Sequence, residues 1–349
     1  MPGSEEKFDL TGQKKEKKLP RWWLFFIFFL LAFILIVYYF SEIKKEFALL
    51  ATVSPYWLLI VFLGQFLTYF FTAFVYFFLL QAYRLQRQPG WWDLLKASVI
   101  SLFFNQTVPS AGLSGNAFFF NFLGRFDMQR TQIISLILAE LLIFYAAMEA
   151  VIVFLLAACI FFVHSVNAFK GILIAGIVVY LVFTVAILFA SKKNMIARLY
   201  DKMKKFRLVK KMLHLGNEGE PGTLFTEKDA RLMSLIKNNK PLVIKSFFTQ
   251  LLVICGDGLT LYALFQGLGF AVSPFIVLLT LISTKIISII PFLPGSLILY
   301  ESSMTILFVN AGTPLPTAVI ATMLYRLLSF WLPLPIGTLL YRRWIKNNT

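Results

Sequence analysis

The sequence predicts an all-α polytopic membrane protein with about six full transmembrane helices and two re-entrant helix hairpins in an inverted repeat. Three observations predict it. Of 349 residues, 59% are hydrophobic and 14% charged, with a mean hydropathy of +0.77; a water-soluble domain carries roughly 25% charged residues. Six apolar runs have about the length a helix needs to cross the hydrocarbon: 22–40, 56–80, 131–162, 170–190, 241–268 and 317–341. Two further apolar regions, 91–123 and 274–311, are broken by prolines, glycines and amides into pieces that reach only part of the way across. Were those regions full crossings, the count would rise to eight to ten spans.

Residues 1–21 form a basic tail, with Lys14, Lys15, Lys17, Lys18 and Arg21 leading into "WWLFFIFFLLAFILIVYYF". That run exceeds a signal peptide's apolar region, and no small-residue cleavage site follows. Trp22, Trp23, Tyr38 and Tyr39 bracket it as interfacial anchors, so it reads as a retained first span. The first hairpin, 91–123, breaks over "NQTVPSAGLSGN" and leaves about four turns before the break and two or three after it. With 131–162 and 170–190 it completes a first membrane half, 22–190. The connection 191–240 carries thirteen Lys or Arg against five acids. Within it, Ile196, Leu199, Met203, Phe206 and Leu213 share a face among lysines and arginines, the pattern of a helix lying on an anionic membrane surface. The second half, 241–343, contains the hairpin 274–311, broken over Pro291–Ser296, and 344–349 is a short tail.

The charges fix a topology. Lys and Arg are retained on the cytoplasmic side. Arg84, Arg87, Arg125, Arg130, the 191–240 loop and Arg342–Arg343 all fall there if each hairpin returns to the side it entered. Both termini are then cytoplasmic, in the cell membrane. The net charge of +16 is topological and does not indicate nucleic acid. The first hairpin opens from the cytoplasm and the second from outside, each between two full spans. In such an inverted repeat, broken helices at matching positions mark a substrate site near the midplane. Non-helical backbone is tolerated there only where protein or a water-filled cavity satisfies it.

Ionisable groups within the apolar segments are few: Glu140, Glu149, Asp257, Lys285, Glu301 and Arg326. A charge at the bilayer centre costs at least ~2.5 kcal/mol, so each is a candidate site residue. Glu140 and Glu149 are nine residues apart and half a turn out of phase, so at most one faces a shared cavity. Gly256 and Gly258 flank Asp257 and permit close backbone approach. Glu301 lies six residues beyond Gly295, which predicts a position nearly two turns into the following helix; Arg326 is its expected partner. The predicted substrate path comprises Pro109, Gly112, Asn116, Pro294, Gly295, Asp257, Glu301 and Arg326, with Glu140 and Lys285 as secondary candidates. The competing reading is ion pairs that merely hold helices together.

Cys159, Cys255, His164 and His214 have no metal-ligand spacing, and neither metal nor cofactor is expected. No P-loop, H-E-x-x-H or G-x-S-x-G occurs, and no loop exceeds about 50 residues, so no ATP hydrolysis or fused soluble catalytic domain is expected.

"PGSLILYE" (294–301) resembles a P-G-G-x-G-x-x-E element, and "YRLLSFWLPLPIG" (325–337) a Y-R-x-x-x-F-W-x-P-x-x-x-G element. Both belong to the lysylphosphatidylglycerol synthase transmembrane-region family, the flippase-like domain proteins. "TVPSAGLSGNAFFF" is similar to the family's first-half element. The resemblance covers roughly 20–345 and implies roles for Pro109, Gly112, Pro294, Gly295, Glu301 and Arg326. Ser296 and Ile298 stand where the family usually has glycine. Asn116 and Phe120 lie in a region where an arginine is common, and Leu141 replaces the arginine that frequently follows the acidic residue at 140. The family's best-known members join this region to a soluble domain that lysylates phosphatidylglycerol, and no such domain is expected here.

The resemblance implies a lipid translocase, flippase- or scramblase-like, for an anionic phospholipid or a polyprenyl-phosphate-linked lipid. The alternatives are a membrane-embedded enzyme modifying a lipid head group, such as a phosphatidylglycerol lysyltransferase, and a subunit delivering lipid to a partner synthase or glycosyltransferase.

Overall fold

The computed structural model describes residues 53–83, 85, 87–108, 113–161, 167–190, 232–289, 296 and 298–346. The span 22–40, the amphipathic segment 196–213, and Pro109, Gly112, Pro294 and Gly295 at the two breaks lie outside the described residues. Every regular element described is helical. Among the described residues, five helical segments are long and apolar enough to cross a membrane: Pro55–Leu80, Arg130–Phe161, Phe169–Phe189, Lys240–Gly267 and Leu315–Lys346. They coincide with five of the six predicted runs.

In chain order the helices are α1 (Pro55–Leu80), α2 (Trp91–Thr107), α3 (Leu113–Leu123), α4 (Arg130–Phe161), α5 (Asn167–Ala190) and α6 (Leu232–Asn238). They continue with α7 (Lys240–Gly267), α8 (Pro274–Ile287), α9 (Leu299–Asn310), α10 (Leu315–Arg326) and α11 (Pro333–Lys346). Prolines near the first helical position start α1, α7, α8 and α10, where a missing N–H costs nothing. The apolar faces point outward: Leu59 and Phe66 on α1, Phe154 on α4, and Val178 and Val182 on α5 are exposed. The buried positions of α7 include Thr249, Gln250, Asp257 and Thr260. Polar inside and apolar outside is the arrangement a lipid solvent selects.

Helices α2 and α3 fold back on one another. Ser114 Oγ donates to Phe104 O at 2.8 Å, Asn105 Oδ1 accepts from Gly115 N at 2.8 Å, and Phe104 stacks on Phe118. A Cβ on Gly115 would collide with the Ser101 hydroxyl and the Asn105 amide, so this turn of the hairpin closes only on glycine. Helices α8 and α9 pair likewise, with Ser296 Oγ donating to Ser288 O at 2.8 Å across the break. At 17, 11, 14 and 12 residues, these four helices span about 16 to 26 Å each. None reaches the ~30 Å of the hydrocarbon core.

The two hairpins are organised around α1 and α7. Along that pair Val53 meets Gly267, Gly64 meets Thr260, Thr68 meets Gly256, and Ser246 Oγ donates to Val75 O. The helices therefore run antiparallel. At the crossing a Cβ on Gly64 would lie 2.6 Å from Thr260 Oγ1, and one on Gly256 would lie 2.7 Å from Thr68 Oγ1. Each threonine caps its own glycine's carbonyl, Thr68 on Gly64 at 3.1 Å and Thr260 on Gly256 at 3.0 Å. The contact is self-reciprocal, and its sequences match: "GQFLT" at 64–68 and "GDGLT" at 256–260. Each helix is also followed by its own hairpin. Antiparallel packing of corresponding helices is what a two-fold axis in the membrane plane imposes.

The chain departs from sequence expectation at the last span. The predicted run 317–341 is interrupted by a π-helical turn over Leu327–Trp331. Leu332 N donates back to Leu327 O at 2.8 Å, so Leu328 O loses its usual donor. Pro333 has no N–H, so Ser329 O loses its donor too. Side chains from the first half replace both: Tyr69 OH donates to Leu328 O at 3.3 Å and Gln106 Nε2 to Ser329 O at 2.9 Å.

Candidate functional site

Next to that break the structure gathers four charges in two ion pairs. Arg326, the last residue of α10, places Nε 2.6 Å from Glu301 Oε1 on α9, and both side chains are about nine-tenths buried. The guanidinium packs on two rings, 4.6 Å from the Tyr300 centroid and 4.5 Å from that of Phe330. Two cation–π contacts restrict its orientation. Lys285 Nζ on α8 lies 2.6 Å from Asp257 Oδ2 on α7. Asp257 Oδ1 accepts from the Thr68 hydroxyl of α1 at 3.1 Å. Tyr300 is within electrostatic reach of Lys285, Arg326 and Asp257, so the two pairs form one cluster with a formal charge of zero.

The pairs are not equivalent. Asp257 has a partner on each oxygen and ties three helices together. Glu301 has its second oxygen, Oε2, buried without a hydrogen-bond partner. A buried carboxylate oxygen left so is costly, and the group persists only because Arg326 faces it.

Glu301 corrects one expectation. It is the third residue of α9 and lies in the first turn, not two turns in. The delay has a backbone cause: Ser296 and Ile298 hold φ at 52° and 73°, left-handed values that postpone the helix. These are the two positions where the resembled motif carries glycine, which adopts positive φ without strain. The early position is electrostatically favourable, because the helix N-terminus stabilises a carboxylate.

The other predicted residues separate. Lys285 is half-buried and belongs to the cluster through Asp257. Glu140 is half-buried on α4 and hydrogen-bonds the Tyr76 side chain of α1. Glu149, on the opposite face of α4, has its Oε1 buried without a hydrogen-bond partner. Asn116 is half-buried on α3, in the first hairpin. No group of three or more His, Cys, Asp or Glu side chains comes together to hold a metal among the described residues.

Sequence reasoning missed Thr68, Tyr69, Tyr300 and Phe330, and noted Gln106 only as a polar residue of the first hairpin without giving it a role. The repeated G-x-x-L-T pattern was a legible signal for Thr68. Phe330 lies four residues after Arg326, a helical spacing that was also legible; Tyr69, Gln106 and Tyr300 act through partners distant in sequence.

Compared with known protein families, residues 19–337 match the lysylphosphatidylglycerol synthase TM region. The chain belongs to that family. Comparison with curated proteins finds no match. The family match runs from the basic tail through Gly337 on α11, so both hairpins and the whole charged cluster lie within it. It is a membrane-domain family, and the match adds no soluble transfer domain.

Proposed function

We propose that this family member moves an anionic lipid head group between leaflets past the paired helix breaks, with Arg326 as the phosphate ligand. The observation that carries the reading is the Glu301–Arg326 pair: buried, in contact at 2.6 Å, and left with an unpartnered carboxylate oxygen on Glu301 beside a broken helix. A lipid phosphate competes with Glu301 for the guanidinium, so the head group crosses without exposing a bare charge to hydrocarbon. Arginine suits this exchange because its planar fork matches phosphate and stays charged at any relevant pH. Asp257–Lys285, saturated by Thr68, holds the frame in which the exchange occurs.

A second feature supports a wet path. Thr280, Ser283, Thr284 and Ser288 have buried hydroxyl oxygens without hydrogen-bond partners, on one side of α8 leading to the second break. Polar atoms aligned in this way suit water or a moving head group.

The test is transbilayer movement of fluorescent phospholipid in proteoliposomes. Glu301→Gln and Arg326→Gln are each expected to slow movement at least tenfold while the protein stays folded. In the double variant, Glu301→Gln with Arg326→Gln, movement stays lost. A merely structural pair would behave otherwise: the singles would destabilise, and the double would regain both stability and transport. Full transport by the double variant would sink the proposal.

A further inference from the structure

At the mouth of the first hairpin, away from the charged cluster, four cations converge. Arg87 precedes α2, Lys96 lies on its second turn, Arg125 sits in the 3-10 turn Gly124–Phe126 after α3, and Arg343 is near the end of α11. Among the described residues they line one cavity of about 520 Å³ with a single acid, Asp93, and these five carry a formal charge of +3. All five side chains are exposed, and Asp93 is engaged with Lys96 at 3.6 Å.

The cavity is built in two layers. Its rim is the cations; its floor is apolar, with Ala97, Ile100 and Phe122 buried beneath them. Trp344 joins the two: Arg125 Cζ lies 3.9 Å from the centre of its ring, and the ring packs on Phe118. That cation–π contact fixes the guanidinium at the rim. Convergence of like charges is unfavourable by itself and becomes favourable when an anion occupies the centre. The volume suits a small ligand. A rim alone would serve a free anion, but an apolar floor also receives the glycerol and first methylenes of a lipid.

We propose that this cavity binds the head group of a membrane lipid carrying more than one negative charge on phosphate, such as a phosphomonoester. Guanidinium forks grip phosphate oxygens bidentately, and basic pockets between membrane helices take anionic head groups. A head group with one charge leaves two of the three net positive charges uncompensated; a doubly charged one leaves one. The site shares no residue with the Glu301–Arg326 exchange and does not depend on transport.

The test is calorimetric titration of the full chain in neutral detergent with dioctanoyl phosphatidic acid, dioctanoyl phosphatidylglycerol and inorganic phosphate. Phosphatidic acid is expected to bind tightest and inorganic phosphate weakest. Arg125→Gln and Arg343→Gln should each weaken phosphatidic acid binding about fivefold. Asp93→Asn should tighten it, a gain that misfolding cannot produce. Glu301→Gln/Arg326→Gln should bind as the parent does even where transport is lost, so this proposal and the transport reading fail separately. Equal affinity for both lipids would overturn the charge assignment, and phosphate binding as tightly as phosphatidic acid would make the site one for a free anion. Unchanged binding by Arg125→Gln/Arg343→Gln, in protein that melts like the parent, would overturn the site itself.

Discussion

Ile298 shows how a single residue carries the strain of the second break. A β-branched side chain at φ 73° is in a region that costs about 1–2 kcal/mol for L-residues, and half of its surface is exposed, so packing returns little. Ile298→Gly is therefore expected to raise stability by about 1 kcal/mol, seen as a higher thermal unfolding midpoint in detergent. An unchanged or lower midpoint would show that the left-handed turn is not strained in the protein. The glycine-rich motif and this chain's departures from it were legible in the sequence. That the departures fall on positive-φ positions was not, because φ is set by how α9 must start in order to bring Glu301 under Arg326.

The π turn in the last span is explained at the level of the element. Pro333 removes one donor, the i→i−5 bond of Leu332 removes another, and two carbonyls are left to Tyr69 and Gln106. Gln106→Ala should strand Ser329 O in the interior and cost about 1–3 kcal/mol of stability. Pro333→Ala restores the N–H at 333, so the Gln106→Ala penalty should largely vanish on that background. A double-mutant cycle read from unfolding midpoints checks this, and additive losses would mean that Gln106 does not serve the proline's carbonyl. Two prolines near the end of an apolar run announce a disturbance in any sequence. Which carbonyls open, and which helices close them, depends on α1 and α2 lying alongside.

For the whole molecule the strongest constraint is the placement of basic segments. Arg87, Arg125 and Arg343 come from three separate connections or ends yet line one cavity, so the mouth of the first hairpin and the end of α11 share a face of the protein. The charge-based topology expects that face, the N-terminus, 191–240 and the C-terminus to be cytoplasmic. With Cys159 and Cys255 replaced, cysteines introduced at Ser41, Asn217 and Asn347 report the sidedness in intact cells. Only the cysteine at 41 is expected to react with an impermeant maleimide from outside. Reaction of the one at 217 would reverse the second half and remove the inverted repeat.

The sequence by itself determined the solvent, the helices and the interruptions. Those follow from runs of apolar residues, from where lysine and arginine sit, and from prolines and glycines that no uninterrupted span would carry. It also limited the charged candidates to a handful, because carboxylates and cations are too costly in hydrocarbon to occur there idly. Glu301 opposite Arg326 could be anticipated on that ground. Only the tertiary structure decided which of the remaining groups meet. Asp257 takes Lys285 and Thr68, Glu140 pairs with Tyr76, and Tyr300 and Phe330 pack on the guanidinium. Helical periodicity fixes the face a side chain occupies, but not which other helix that face will meet. That choice rests on the close approach of Gly64 and Gly256, 192 residues apart in sequence and in contact at the crossing of α1 and α7.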